Sequence, residues 1–216
     1  VDPESISECA GFVMGWLEAR GIEAVREEVR GLPVIKAEVG PEDAPTVVLE
    51  GHIDVVPGLA GQFEPRVEGD RLYGRGAYDM KGALAAMLIV AASMRDQDGV
   101  RVRLGIVGDE ESEEEAERGC DHLVDSGFLG DFAITGEPTD LHIGIEAKGV
   151  LALRLEVGGT AAHGATPWLG DNAVLNAIDV FRSIESLPFA RHSSELFDRP
   201  SINLGRIWGG DALNKV

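Results

Sequence analysis

The sequence predicts an α/β fold, and three features carry that prediction. Thr46 to Val56 is a mostly apolar run of the kind buried inside α/β sheets. Met80 to Met94 is rich in Ala, Leu and Met and nearly uncharged, which reads as a helix packed on that sheet. Strands and helices alternate over residues 1 to about 147, the pattern of a three-layer domain. The chain has 216 residues, 44% of them hydrophobic, enough for one such domain and part of another.

Taken in order, Ile6, Cys9, Val13, Trp16 and Leu17 recur at helical spacing, and Gly21 supplies a stop. Val34 to Val39 alternates as a strand does. After the Thr46 strand, Leu72-Tyr73-Gly74-Arg75-Gly76 reads as a short strand entering a glycine-rich turn. Beyond the Met80 helix, Val100, Val102, Leu104 and Ile106 alternate with polar or small residues up to Gly108. An acidic helix is expected from about Glu113 to Ser126, then a strand at Phe132 to Thr135.

The pattern changes at Glu146-Ala147-Lys148-Gly149. Leu151, Leu153, Leu155 and Val157 form one apolar face, with Ala152, Arg154 and Glu156 opposite, as in a strand with one solvated side. A helix from about Asn172 to Ile184 and a strand at Ser201 to Ile207 follow. A small α+β domain is therefore expected over residues 148–216, after a first domain over 1–147, and it needs more strands to close.

Acidic residues outnumber basic ones 38 to 19, a formal net charge of −19. Such a surface is highly soluble and repels phosphate backbones and anionic membranes, which argues against nucleic acid or membrane as partner. Cys9 and Cys120 fall in separate expected helices with no C-x-x-C spacing, so neither a disulfide nor a thiolate metal site is expected, and a reducing, cytoplasmic location fits. The longest apolar stretch, Gly82 to Met94, falls short of the ~20 residues that span a bilayer. Val1-Asp2-Pro3-Glu4 has no apolar core and no initiator Met, which reads as a trimmed chain without a signal peptide.

The chemistry lies at strand ends. His52 and Asp54 sit two apart at the end of the Thr46 strand, on one face, where the imidazole can offer one nitrogen to a metal while the carboxylate orients it. Asp79, before the Met80 helix, is a candidate helix cap and equally a candidate oxygen ligand. In Gly108-Asp109-Glu110-Glu111 two adjacent carboxylates can divide labour, one holding metal and one moving protons. Seven of the nine residues from Asp109 to Glu117 are acidic, and most of these read as a solvated first helical turn. Glu137, in Thr135-Gly136-Glu137-Pro138, is a further carboxylate at a strand-to-loop junction, where open α/β sheets bind ligands. Together these form a nitrogen/oxygen donor set without sulfur, suited to Zn²⁺ or a similar divalent ion. His122 reads as a surface residue, and His142 (at the start of a strand) and His192 (in a polar loop) as structural ones.

Gly51-His52-Ile53-Asp54-Val55-Val56-Pro57, Gly74-Arg75-Gly76-Ala77-Tyr78-Asp79-Met80-Lys81-Gly82, Asp109-Glu110-Glu111 and Gly136-Glu137-Pro138-Thr139, in this order, resemble the zinc-dependent aminoacylase/carboxypeptidase superfamily. That group includes acetylornithine deacetylase, succinyl-diaminopimelate desuccinylase and glutamate carboxypeptidases. Gly159-Thr160-Ala161-Ala162-His163-Gly164-Ala165-Thr166-Pro167 and Gly170-Asp171-Asn172-Ala173 resemble its lid and dimerisation domain, as do Gly209-Gly210 and Asn214. The resemblance implies a three-layer zinc-exopeptidase-like catalytic domain with an inserted, ferredoxin-like α+β lid. It implies two divalent ions, Zn²⁺ or Co²⁺: His52 and Glu137 on one, Glu111 on the other, Asp79 bridging, Asp54 supporting His52. Glu110 would be the general base. His163 from the partner subunit of a homodimer would hydrogen-bond the substrate carbonyl, and Asn214 would touch substrate. The implied reaction is hydrolysis of an amide in an N-acyl amino acid or small peptide.

The family pattern also has a last histidine, after the lid, on the second metal, and no histidine here stands in that place. The expectation is a weaker second site, an unfinished lid and little activity for these residues alone, as in a fragment of a longer enzyme. A catalytically inactive interaction module that retains the fold is the alternative. A phosphate-ester hydrolase is disfavoured, since no glycine loop with Lys or Arg precedes a helix to cradle phosphate.

Overall fold

The computed structural model describes residues 2–112 and 117–216. Helix α1 (Pro3–Glu18) starts where Asp2 accepts the Glu4 N–H at 3.3 Å, with Pro3 in the first turn where its missing N–H costs nothing. Its buried stripe, Ile6, Ala10, Val13 and Leu17, lies on one helical face. Next come β1 (Ala24–Val29), β2 (Leu32–Val39), β3 (Thr46–His52) and a hairpin of β4 (Arg66–Glu68) with β5 (Arg71–Tyr73). Helix α2 (Gly82–Met94), β6 (Arg101–Val107), α3 (Gly119–Asp125), β7 (Phe132–Thr135) and α4 (Ala173–Glu185) complete the order.

One mixed sheet runs β1-β2-β6-β3-β7. Its β1, β2 and β6 are antiparallel, and β6, β3 and β7 are parallel. His52 pairs with Val107 and Glu50 with Thr135, so the three parallel strands end nearly level. The residues that follow, 53–54, 108–111 and 136–137, therefore emerge at one edge of the sheet, the carboxyl edge where such sheets place ligands.

Helices α1 and α2 cover one face. Their Ile6, Ala10, Leu17, Leu84, Met87 and Leu88 pack with Ile35, Ala37, Leu49, Leu104 and Ile106 in the main core. On the other face Leu123 of α3 and Phe128 pack against Val29, Val34 and Val107. Strands β2 and β6 thus feed two layers by their period of two, and the expected three-layer α/β domain is borne out.

A helical turn over Ala77–Lys81 leads into α2, and with it the stretch Ala77–Met94 reaches 18 residues of mean hydropathy 1.3. By length and composition alone it could cross a membrane, longer than the apolar run in the sequence indicates. Its Leu84, Met87, Leu88 and Ala91 are spent on the sheet, as in a core helix.

Other elements depart from expectation. β1 is an edge strand whose Arg26, Glu27 and Glu28 break any apolar alternation, yet it pairs with β2 along its whole length. Helix α3 begins at Gly119, and residues 113–116 of the expected acidic helix lie outside the described residues. No strand forms over 151–157 or 201–207 among the described residues, and His142 sits in a turn. An alternating pattern makes a strand only where a neighbour accepts its ladder. Leu151 and Leu153 stay 80% and 68% exposed.

The described residues divide into two compact units, one ending at Ile145 and one running Glu146–Val216. In the second, Asn172 caps α4 by accepting from Val174 and Leu175 N–H, and an antiparallel bridge joins Thr160 to Asp171.

Candidate metal centre

His52 and Asp54 are buried to 1% exposure at the end of β3. The Nδ1 edge of the imidazole faces Asp54, 3.0 Å from its carbonyl oxygen and 3.3 Å from its carboxylate. That contact fixes the ring, and Nε2 points the other way, into a group of carboxylates. Asp79 Oδ1 lies 3.2 Å from Nε2, Glu137 Oε1 3.8 Å and Glu110 Oε2 4.0 Å.

Asp54 has a second task. Its two oxygens accept the Glu110 N–H at 3.2 Å and the Glu111 N–H at 2.8 Å. One buried carboxylate thus ties the imidazole of β3 to the turn after β6. The preceding residue, Asp109, is also buried, and its carboxylate accepts the Gly119 N–H, fastening the turn to the start of α3.

Asp79 caps nothing. Helix α2 starts only at Gly82, and Asp79 has left helical backbone (φ −121°, ψ 105°). The expected cap does not form; the Asp79 carboxylate faces the imidazole instead. Met80 explains how it is held. Its side chain is fully buried between the ends of β3 and β7, with Sδ 3.4 Å from the His52 nitrogen. A Cβ on Gly51 would stand 2.7 Å from Met80 Cε, and one on Gly136 2.8 Å from Ala83 Cβ and 2.9 Å from Met80 Cε. The motif glycines flanking His52 and Glu137 make the slot for this methionine. Gly136→Ala is expected to displace Met80 and Asp79, lowering stability by about 1–3 kcal/mol in thermal denaturation and weakening metal binding with it. Sequence reasoning passes over Met80, whose signal is the pairing of a buried thioether with glycines on two strands.

Burial alone would push the His52 pKa down, but the hydrogen bond and charge of Asp54 and the charge of Glu137 raise it to about 9. Asp54 itself, though burial opposes it, is held below the usual carboxylate range by His52 and the Glu111 N–H. Glu111 is raised by burial and by the charges of Asp79 and Glu110. Glu137 is raised by burial and by Asp79 and Glu110, with His52 opposing. Crowded carboxylates that hold protons against their neighbours, around one inward nitrogen, are the electrostatic form of a cation site.

Two overlapping groups have ligand atoms within 4.8 Å of one another, His52/Glu110/Glu137 and His52/Asp79/Glu111. The donor set fits one or two divalent cations of borderline or hard character. Thiolates play no part. Cys9 and Cys120 are free, and burial and Glu50, 3.2 Å away, push the Cys120 thiol up. Beside Asp79 and Glu111 opens a cleft of about 270 Å³, also lined by Val56, Gly74, Arg75, Gly76 and Tyr78.

Residues 48–203 match the sequence pattern of peptidase family M20/M25/M40. The chain belongs to that family. It is 36% identical over 162 residues to a succinyl-diaminopimelate desuccinylase of Erythrobacter litoralis, a match covering 69% of this chain and 42% of the relative. A probable carboxypeptidase of Aspergillus terreus is 32% identical over 228 residues, covering 95% and 52%. Among solved structures, an M20 family metallo-carboxypeptidase from Sulfolobus solfataricus superposes with a TM-score of 0.61 at 25% identity, covering 88% of this chain and 49% of that one. The chain spans about half the length of the curated relatives it matches. The resemblance drawn from the motifs is borne out at the level of family, and the M20 match takes in His52, Asp54, Asp79, Glu110, Glu111, Glu137 and His163.

His163 and Asn214 lie in the second unit. His163 bridges to Lys215, its Nδ1 accepts the Ala165 N–H at 3.1 Å, and the Gly164 N–H donates to the Asn214 carbonyl at 2.7 Å. Both line a shallow cavity of about 360 Å³ with Ala161, Ala162, Ala212 and Lys215. The remaining histidines are accounted for locally. His122 is half-buried, its Nε2 2.6 Å from Glu27, joining α3 to β1, and His142 and His192 are exposed.

Proposed function

We propose that this chain carries most of the metal-binding part of a divalent-metal-dependent amide hydrolase acting on an N-acyl amino acid or small peptide. The observation that carries the reading is the convergence of Asp79, Glu110, Glu111 and Glu137 on His52 Nε2 at the carboxyl edge of one sheet. The family match and the relatives named as desuccinylase and carboxypeptidase support it.

In this reading residues 1–147 are the catalytic portion and 148–216 part of a lid through which two copies pair. His52 and Glu137 would hold one ion and Glu111 the second, with Asp79 serving both; Zn²⁺ suits the donors best and Co²⁺ is the natural substitute. The chemistry such ions supply when bound is a water acidified toward a pKa of ~7 and a polarised carbonyl. Glu110 takes a proton from the attacking water on its carboxylate and returns it to the leaving amine nitrogen. Asp54 keeps the imidazole turned so that Nε2 faces inward. His163 of the second copy donates a hydrogen bond to the substrate carbonyl oxygen as charge develops there, and Asn214 contacts substrate. Unpaired Cys9 and Cys120 fit a reducing, cytoplasmic setting.

Hydrolysis of N-succinyl and N-acetyl amino acids and of dipeptides, compared with phosphate esters, in Zn²⁺ or Co²⁺ and in chelator, tests the proposal. Metal-dependent release of amine from the amides alone is expected; phosphate release, or amide cleavage that survives chelation, would sink it. A second reading is a module that binds metal without turnover. Zinc binding without amide cleavage on the whole panel would select it.

Metal binding should expel a proton. With its pKa raised to about 9, the His52 imidazole is protonated at neutral pH, and a ligand must be neutral. Zinc affinity is expected to fall about tenfold per pH unit below that value. The ion-free protein has the opposite dependence. The pair's stabilising contribution is full below pH 6.5 and lost as pH rises through about 9. Calorimetry in buffers of differing ionisation enthalpy should find about one proton released from His52 for the ion it binds; zinc affinity independent of pH from 6 to 8 would contradict it.

A further inference from the structure

The Glu110–Glu111 peptide is held at both ends, and the second grip comes from a residue that no part of the proposed chemistry uses. Arg118, at the N-terminal cap of α3, reaches back so that Nη1 donates to the Glu110 carbonyl oxygen at 3.0 Å and Nη2 to the Ser112 carbonyl oxygen, also at 3.0 Å. The Glu110 carbonyl and the Glu111 N–H belong to one peptide unit. At the other end of that unit the N–H donates to Asp54 Oδ2 at 2.8 Å. A peptide dipole therefore lies with its positive end on a buried carboxylate and its negative end on a guanidinium, the favourable orientation at both ends.

We propose that Arg118 is a positioning residue for Glu110 and Glu111, fixing the peptide plane from which both carboxylates project. The planar fork matters more than the charge. Two parallel donors on carbonyls two residues apart bracket the backbone of Glu111, which a single ammonium donor cannot do. The base of the fork is itself fixed: the Arg118 N–H donates to Asp121 at 3.0 Å. Next to it the Gly119 N–H is held by buried Asp109, and a Cβ on Gly119 would stand 2.8 Å from Val107, so the start of α3 is pressed on the end of β6. The Glu110–Ser112 backbone is thus clamped from the Asp54 side and from the Arg118 side. The carboxylates of Glu110 and Glu111 are about two-fifths and partly exposed, so their direction is set by this backbone more than by packing of their own side chains.

The inference rests on the roles proposed above for Glu110 and Glu111, and its test reads zinc binding as well as turnover. Arg118→Ala and Arg118→Lys are compared with the unaltered chain by zinc titration calorimetry, by kcat and KM at saturating zinc, and by thermal denaturation. Arg118→Ala is expected to weaken zinc binding and lower kcat, each roughly 10–100-fold, the range for partners that orient metal ligands, with KM unchanged and native circular dichroism. Methylguanidinium in solution should restore part of both, and Arg118→Lys should fall between. Unchanged zinc affinity and kcat in Arg118→Ala would overturn the proposal. So would losses equal in both variants, proportional to unfolded protein and untouched by methylguanidinium. If the unaltered chain cleaves no amide but Arg118→Ala still weakens zinc binding, the positioning role stands and the hydrolase reading falls.

Discussion

Replacing Glu110 by alanine is expected to lower kcat for amide hydrolysis by roughly 10²–10⁴-fold, while KM and the zinc content of the protein stay as they were. Glu110 Oε2 stands 4.0 Å from His52 Nε2, the longest of the three carboxylate approaches, and its side chain is 43% exposed. It can meet a water without giving up a buried contact. Its backbone, by contrast, is held through its N–H by Asp54 and through its carbonyl by Arg118. Truncation beyond Cβ therefore leaves the turn and Glu111 in place.

The stability change should be small, within about 0.5 kcal/mol as for other surface truncations. Its sign in the ion-free protein is readable too. The charge of Glu110 raises the pKa of both Glu111 and Glu137, so its removal relieves repulsion and lets both titrate lower. Zinc content by atomic emission and kcat on the best amide of the panel decide the matter together. Because Glu110 shares one close group with His52 and Glu137, a variant that loses zinc would exchange the roles: Glu110 would be the ligand and Glu111 the base.

Much of this site was legible in the sequence because its parts are tied to strand ends, and strand ends are what apolar alternation marks best. His52 follows the run Thr46–Glu50, Glu110 follows Arg101–Val107 and Glu137 follows Phe132–Thr135; parallel pairing then brings all three to one edge. What the pattern could not give was partnership across the chain. Asp79 precedes a helix as a cap would, and only the burial of Met80 against Gly51 and Gly136 turns it toward His52. Arg118 closes an acidic run and reads as surface charge, since its partners are backbone carbonyls, which carry no sequence signature. The same limit applies to the fold. β1 is charged and still pairs, because β2 supplies its ladder. Leu151, Leu153 and Leu155 alternate well and form no strand, because no neighbour among the described residues pairs with them.

Asp54 is where stability and metal binding are expected to fail together. Its carboxylate meets three donors from two segments: His52 Nδ1 at 3.3 Å, the Glu110 N–H at 3.2 Å and the Glu111 N–H at 2.8 Å. Asp54→Ala leaves the two N–H groups in a buried space without an acceptor and His52 Nδ1 with only the backbone carbonyl of residue 54, 3.0 Å away, and loss of one partner from a buried ionic pair costs about 3–5 kcal/mol. In a chain of this size that corresponds to a fall in Tm on the order of 10 °C. The loss should depend on pH. The Asp54 pKa is lowered on folding, so its contribution is present above the unfolded value of 3.8 and disappears as pH falls through the still lower folded value. The gap in stability between the unaltered chain and Asp54→Ala should therefore narrow in acid. Asp54→Asn separates the charge from the shape. The amide oxygen can still accept one backbone N–H, but the negative charge of Asp54 is gone, and only Glu137 and the residue-54 carbonyl are left to oppose the burial that pushes the imidazole down. The His52 pKa, followed by proton NMR in the ion-free protein, should fall below the parent's value of about 9, and zinc affinity at pH 9, where protons compete little, should weaken roughly 10–100-fold as the ring loses its orienting partner. At pH 7 the lower proton competition at His52 opposes that weakening, so the variant should lie closer to the parent there than at pH 9. Equal affinity at pH 9 would mean that Asp54 does not orient His52 at all.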